Sequence, residues 1–137
     1  MKLRIAVAAA LAFLAFGFGA WWFFGPMQRS SMQAQQPPLA LPALSADAKA
    51  GEAHFQEDCA VCHGRYALGT DRGPPLIHRI YQPSHHGDRA FRLAVRQGVR
   101  AHHWKFGDMP AMSGLSRADV AEIIAYVREL QRANGIE

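Results

Sequence analysis

The chain has 137 residues, half of them hydrophobic, with 15 Lys and Arg against 11 Asp and Glu for a formal charge of +4. A length of this order holds one compact domain of about 100–150 residues and little else. Lys2, Arg4 and Arg29 precede residue 45 and every acidic residue follows it, so residues 45–137 carry twelve basic against eleven acidic residues, a net +1 that removes the case for a nucleic-acid partner.

The first element is apolar. Ile5 to Phe24 is twenty residues without a charge, and at about 1.5 Å rise per residue such a helix spans the roughly 30 Å hydrocarbon core of a bilayer. Lys2 and Arg4 ahead of it orient the N-terminus to the cytoplasm, and Trp21 and Trp22 suit the outer interface. The competing reading is a cleaved signal peptide, whose apolar region is usually about 7–15 residues long and ends in a small-x-small site. Here the run is longer, and the small pair Gly17 and Gly19 is followed by Ala-Trp-Trp. The expectation is a single-pass anchor over residues 1–27 in the cytoplasmic membrane, with the remainder on the periplasmic, extracytoplasmic side. Residues 28–44, with four glutamines and three prolines and no helical period, read as a tether.

Residues 45–137 read as an all-α domain. Ser45 is a plausible N-cap for a helix that places Ala50, Ala53 and Phe55 on one side and ends near the cysteines. A second helix has Asp88 as N-cap, Phe91, Ala94 and Val95 as its apolar stripe, and Gly98 as its stop. The last begins with Ser116 and Asp119 as a capping box, carries Val120, Ile123, Ile124, Val127 and Leu130 at helical spacing, and ends at Asn134-Gly135. The two segments between are rich in Gly, Pro and His, and nothing in them alternates like a strand. A domain so poorly supplied with large aliphatic residues in its middle third needs a disulfide, a metal or a cofactor to complete its core.

Cys59 and Cys62, in CAVCHG, are the only cysteines of the chain. A disulfide between them closes too short a loop to stabilise much. A structural zinc site wants four ligands, and adjacent Cys62 and His63 reach one tetrahedral ion poorly. A thioredoxin-like pair wants a βαβ context that is absent. C-x-x-C-H is the spacing for haem attachment: the two thiols add to the vinyl groups, and the next histidine stands where its imidazole reaches the iron.

CAVCHG after a helix carrying GEAHF, then GPPL, then GDMPAMSGLS leading into ADVAEIIAYVREL, resembles the monohaem class I c-type cytochromes from roughly residue 45 to 133, and the wider pattern resembles a membrane-anchored bacterial type. The resemblance implies a small fold of three to five helices around one covalent haem c, held by thioethers at Cys59 and Cys62 with His63 as proximal ligand. It implies that a carbonyl near Pro74 in the Gly-Pro loop accepts from the other ring nitrogen of His63. It also implies that Gly51 and Phe55 lie where the first helix crosses the last, close to Tyr126.

For the second iron ligand, the domain offers two methionines, Met109 and Met112. Met109 precedes Pro110, which biases it to extended backbone able to pass a haem face and aim its sulfur at iron. Met112, four residues before Ser116, reads as a packing residue; a histidine ligand or an open position are the remaining readings. His85-His86 and His102-His103 read as surface pairs that bond locally or to a haem propionate, Trp104 as packing at the haem edge, and Arg89, Arg92, Arg96 and Arg100 as a solvated basic stripe. The resulting expectation is one-electron transfer between redox partner proteins, with no small-molecule substrate and no enzymatic step. The alternatives are a haem subunit of a larger membrane oxidoreductase complex, and a haem-based ligand sensor with an open axial site.

Overall fold

The computed structural model describes residues 38–137. The expected anchor over residues 1–27 and most of the tether 28–44 lie outside the described residues, among which no helix is long and apolar enough to cross a membrane.

Four α-helices follow one another: α1 (Ala46–Asp58), α2 (Ala60–His63), α3 (Asp88–Gln97) and α4 (Arg117–Ala133), with 3-10 turns at Arg65–Ala67 and Arg79–Tyr81. Among the described residues there is no strand, only a single antiparallel bridge between Val99 and Met109, so the domain is all-helical with long loops, as its sequence predicts.

α1 starts where the Ser45 hydroxyl accepts the Ala48 N–H at 3.2 Å. Its buried face is Ala48, Gly51 and Phe55, one side of a helix at 3.6 residues per turn. The expected face does not hold in full, because Ala53 is exposed. The reason is α4, which passes so close to Gly51 that a Cβ there would lie 1.9 Å from the Glu122 carbonyl oxygen. Close approach of two backbones, rather than a count of apolar side chains, decides which face is covered. Four residues on, the Phe55 ring meets Tyr126 at 5.4 Å between centroids, tilted by 54°, so the implied crossing at Gly51, Phe55 and Tyr126 is present.

α3 is capped by Gly87, not Asp88. Asp88 is instead the first helical residue, where a negative charge suits the helix N-terminus, and its carboxylate accepts from Arg128 Nε at 2.9 Å. Gly98, at φ +74°, ends this helix as expected. α4 opens with the Ser116–Asp119 capping box and buries Val120, Ile123, Ile124, Val127 and Leu130; it also buries Tyr126, Arg128 and Gln131.

Phe55, Ile123, Tyr126, Val127 and Leu130 form the main core between α1 and α4, joined by Ala67 and Leu76 from the intervening loop. A second cluster joins Val95 of α3 to Val120 and Ile124 of α4. The stretch before α1 also lies on α4: Ala40 exchanges hydrogen bonds of 3.0 and 2.9 Å with the Asn134 side chain, and the Ser45 N–H donates to Glu129 at 3.1 Å.

Candidate functional site

Cys59 closes α1 and opens α2, so both cysteines and His63 fall within one short helical segment. The N–H groups of Cys62 and His63 both donate to the Cys59 carbonyl, at 3.1 and 2.9 Å. Gly64, at φ +74°, stops α2 where a Cβ would meet the Gly69 carbonyl oxygen at 2.4 Å. The following loop folds back on this turn: the Thr70 hydroxyl donates to the Cys62 carbonyl at 2.6 Å, and the Gly69 N–H donates to that of His63 at 2.6 Å. Gly73 lies against the same turn, its ideal Cβ 2.9 Å from the Cys62 carbonyl oxygen.

The loop brings the Pro74 carbonyl to 2.9 Å from His63 Nδ1. A carbonyl only accepts, so Nδ1 carries the proton and Nε2 keeps its lone pair, the form in which an imidazole binds a metal. Burial holds His63 below its ordinary value, against the opposing pull of the Pro74 bond, so the ring is neutral at pH 7. The cysteines are not joined to each other. Burial, reinforced by Asp58 and Cys62, pushes the Cys59 thiol up to about 11, and it stays a thiol near neutrality.

The second expected ligand arrives from the other loop. Val99 and Met109 exchange two backbone hydrogen bonds of 2.9 Å, and the left-handed backbone of Gly98 permits the approach, since a Cβ there would lie 2.4 Å from the Met109 carbonyl oxygen. Met112 is held differently: its N–H donates to the Val95 carbonyl at 2.7 Å, and its side chain packs on the cluster of Val95, Val120 and Ile124.

Cys59, His63 and Met109 all line one cavity of about 360 Å³, whereas Cys62 and Met112 do not line it. The remaining wall is mainly apolar, with Phe55, Leu76, Phe91, Val95, Ile123 and Val127 contributing. That volume falls in the range of about 300–1,000 Å³ usual for ligand pockets. An imidazole nitrogen with a free lone pair, a thioether sulfur and an unpaired thiol around an apolar space form a donor set that fits a covalently attached metalloporphyrin.

Residues that sequence reasoning passed over hold the cavity wall together. Arg128, only 6% exposed, donates to Asp88, to the Tyr81 carbonyl at 2.7 Å, to the Gln131 side chain at 2.6 Å and to the His86 carbonyl, and its guanidinium lies 4.7 Å from the Phe91 ring centroid. The Gln131 amide donates to the carbonyls of Leu76 and Tyr81 at 2.8 and 3.1 Å. Spacing contained the signal, since Arg128 follows Ile124 by four positions and Gln131 follows Val127 by four, on the apolar side of α4. Trp104 lines the cavity and donates its indole N–H to the Tyr81 hydroxyl at 3.1 Å. Arg89, Arg92, Arg96 and Arg100 are exposed, the solvated stripe expected.

The two histidine pairs are not separate features. His85 and His86 lie with ring centroids 5.4 and 5.2 Å from that of His103, and His102 stacks on His86 at 6.1 Å.

No curated protein matches the chain. The family model described as Cytochrome c matches residues 48–131, which include every residue placed around the cavity. The chain therefore belongs to the cytochrome c family, whose members bind covalent haem c with its iron and serve haem-based electron transfer.

Proposed function

We propose that this chain is a one-electron carrier tethered to the cytoplasmic membrane, with its cytochrome domain on the periplasmic side and His63 and Met109 as the axial ligands of a single haem bound through Cys59 and Cys62. The observation that carries this reading is the meeting of Cys59, His63 and Met109 on one apolar cavity. When bound, the haem iron supplies a Fe(III)/Fe(II) couple.

The chain's own residues then do three things. The Pro74 carbonyl fixes the proton of His63 on Nδ1 and so aims the Nε2 lone pair. Met109, anchored by its two bonds to Val99, offers a neutral thioether that would hold the iron together with His63 and so would suit electron transfer over O₂ chemistry. Phe55, Leu76, Ile123 and Val127 exclude water, which favours the less charged ferrous state. His102, Phe106 and Gly107 line the cavity and are exposed, so a redox partner protein reaches the haem edge there without any small-molecule substrate entering.

The test separates the two methionines. Met109→Ala abolishes the sulfur-to-iron charge-transfer band of the oxidised holoprotein and lowers its reduction potential, while Met112→Ala keeps the band. A band that survives in Met109→Ala and vanishes in Met112→Ala overturns the assignment. For the tether, N-terminal sequencing of the protein from native membranes begins at or near residue 1, and a mature terminus near residue 20 in a soluble fraction refutes the anchor.

A further inference from the structure

The observation that the proposed carrier function leaves unexplained is the meeting of the two histidine doublets. Two loops separated by α3 each carry a His-His doublet, and the fold brings both doublets to one place. The ligand-capable nitrogens of His85, His86 and His103 lie within 4.8 Å of one another. His85 and His103 are exposed, on loops rather than helices, and no side-chain hydrogen bond restrains either among the described residues. We propose that His85, His86 and His103 form a binding site for one divalent late first-row cation, copper(II) ahead of zinc(II), at the rim of the haem cavity.

Three features support a site over a chance cluster. His86 Nδ1 faces the Ile80 carbonyl at 2.7 Å. A carbonyl only accepts, so the proton is on Nδ1 and Nε2 is left as a ligand, the arrangement by which metal-binding histidines are oriented. His102, the neighbour of His103, is set the same way by the Arg100 carbonyl at 2.8 Å, with its ring 4.3 Å from that of His103, although it stands outside the group of three. His78 shows the contrast: its Nδ1 accepts the Ile80 N–H at 3.2 Å, and it stands outside the group. Finally, the loop under His86 is rigidly held, because Arg128 donates to the His86 carbonyl from within the core.

Metal–nitrogen bonds of about 2.0–2.1 Å require the ligand atoms to close from their present separations. Exposed His85 and His103 supply that movement by side-chain rotation about one held ring. Imidazole donors suit copper, zinc and nickel, and affinity at a given nitrogen site peaks at copper(II). Three neutral ligands leave the cation's charge uncompensated. Because His86 and His103 also line the haem cavity, a cation there disfavours the ferric state relative to the ferrous one and raises the haem potential.

A second candidate, His54 with Asp119 and Glu122, is the control. Asp119 is already engaged by the Ser116 N–H at 2.8 Å, and His54 lies 3.5 Å from Glu122 as an ion-pair partner.

The experiment uses untagged full-length holoprotein in detergent. Calorimetric titration with zinc(II) gives one bound equivalent, and the copper(II) complex shows nitrogen hyperfine structure in its electron paramagnetic resonance spectrum. His85→Ala and His103→Ala each weaken binding at least about tenfold. His85→Ala, at a residue that does not line the cavity, leaves the haem absorption spectrum as in the parent, and His54→Ala changes neither affinity nor stoichiometry. Adding zinc(II) to the parent raises the haem potential, and adding it to the His85→Ala/His103→Ala protein does not. Binding equally tight in that double variant, loss of binding in His54→Ala instead, or no bound equivalent in the parent each overturns the site, and none of these results bears on the Met109 assignment, which is read from the charge-transfer band in the absence of added metal.

Discussion

The close crossing at Gly51 permits a sharp prediction, because two opposed effects act there and their sizes differ. Alanine is the better helix former, and replacing a glycine inside α1 gains about 0.8–1.0 kcal/mol of intrinsic propensity. Against this, the new Cβ would stand 1.9 Å from the Glu122 carbonyl oxygen, 2.2 Å from its carbon and 2.7 Å from the Ile123 nitrogen, where ordinary contact begins at 3.4 Å. All three atoms are backbone of α4, so no side chain can swing aside and the helices must part by up to the shortfall of 1.5 Å. Overpacking of this kind costs about 1–3 kcal/mol by itself, and a gap of 0.5–1 Å already forfeits about a quarter to a half of each dispersion contact, here between Phe55 and Tyr126. The loss is about 2–4 kcal/mol and the net destabilisation about 1–3 kcal/mol, a large share of the roughly 5–15 kcal/mol typical of a whole domain. Urea unfolding of the holoprotein, followed by far-ultraviolet circular dichroism, measures it. Gly114, with nothing within 4 Å of its ideal Cβ, is the matched control, and Gly114→Ala changes stability by no more than about 0.5 kcal/mol. If Gly51→Ala proves as stable as the parent, the close approach of α1 to α4 is not what selects the buried face of α1.

Arg128→Met leaves the His86 carbonyl without its donor and that of Tyr81 with Gln131 alone, and destabilises the holoprotein by about 1–3 kcal/mol; hydrogen exchange at residues 79–88 rises with it, and an unchanged denaturation midpoint refutes the role. Asp119 is held below its ordinary 3.8 chiefly by Ser116, with help from His54. A depressed folded value means that its contribution is complete above pH about 3.8 and fades as pH falls toward the folded value, so Asp119→Asn makes the acid limb of the stability profile shallower, and an identical limb in both proteins counts against the capping box.

The parts of the fold written in local chemistry were legible from residues alone. α4 could be read from both ends inward, because its capping box, its apolar period and its Asn134-Gly135 stop all agree. The candidate haem-attachment segment was equally plain to read, since C-x-x-C-H requires only neighbours, and the Pro74 acceptor, found 2.9 Å from His63, followed from the family resemblance. What escaped was set by distant backbone. Asp88 looked like a cap because Asp usually caps, yet Arg128, forty positions away, engages its carboxylate. Gly51 and Ala53 look alike in an apolar count, and only the passage of α4 distinguishes them. Arg128 and Gln131 were passed over although they stand on the apolar side of α4, because their partners are loop carbonyls, which carry no mark in a sequence. The histidine doublets were visible as doublets, but nothing local tells that two irregular loops meet.

The hydrogen bonds from Arg128 and Gln131 also impose an order on assembly. A chain is made from its N-terminus, so the CAVCHG segment exists long before α4 does, and until Arg128 and Gln131 emerge the carbonyls of Leu76, Tyr81 and His86 have no inward partner. Without those donors the cavity has a side at α1 but no fastened wall opposite it. The final helix thus fastens a wall that every earlier part of the chain leaves open. Truncation before Arg117 would remove all of these donors at once, and with them the fastening of that wall.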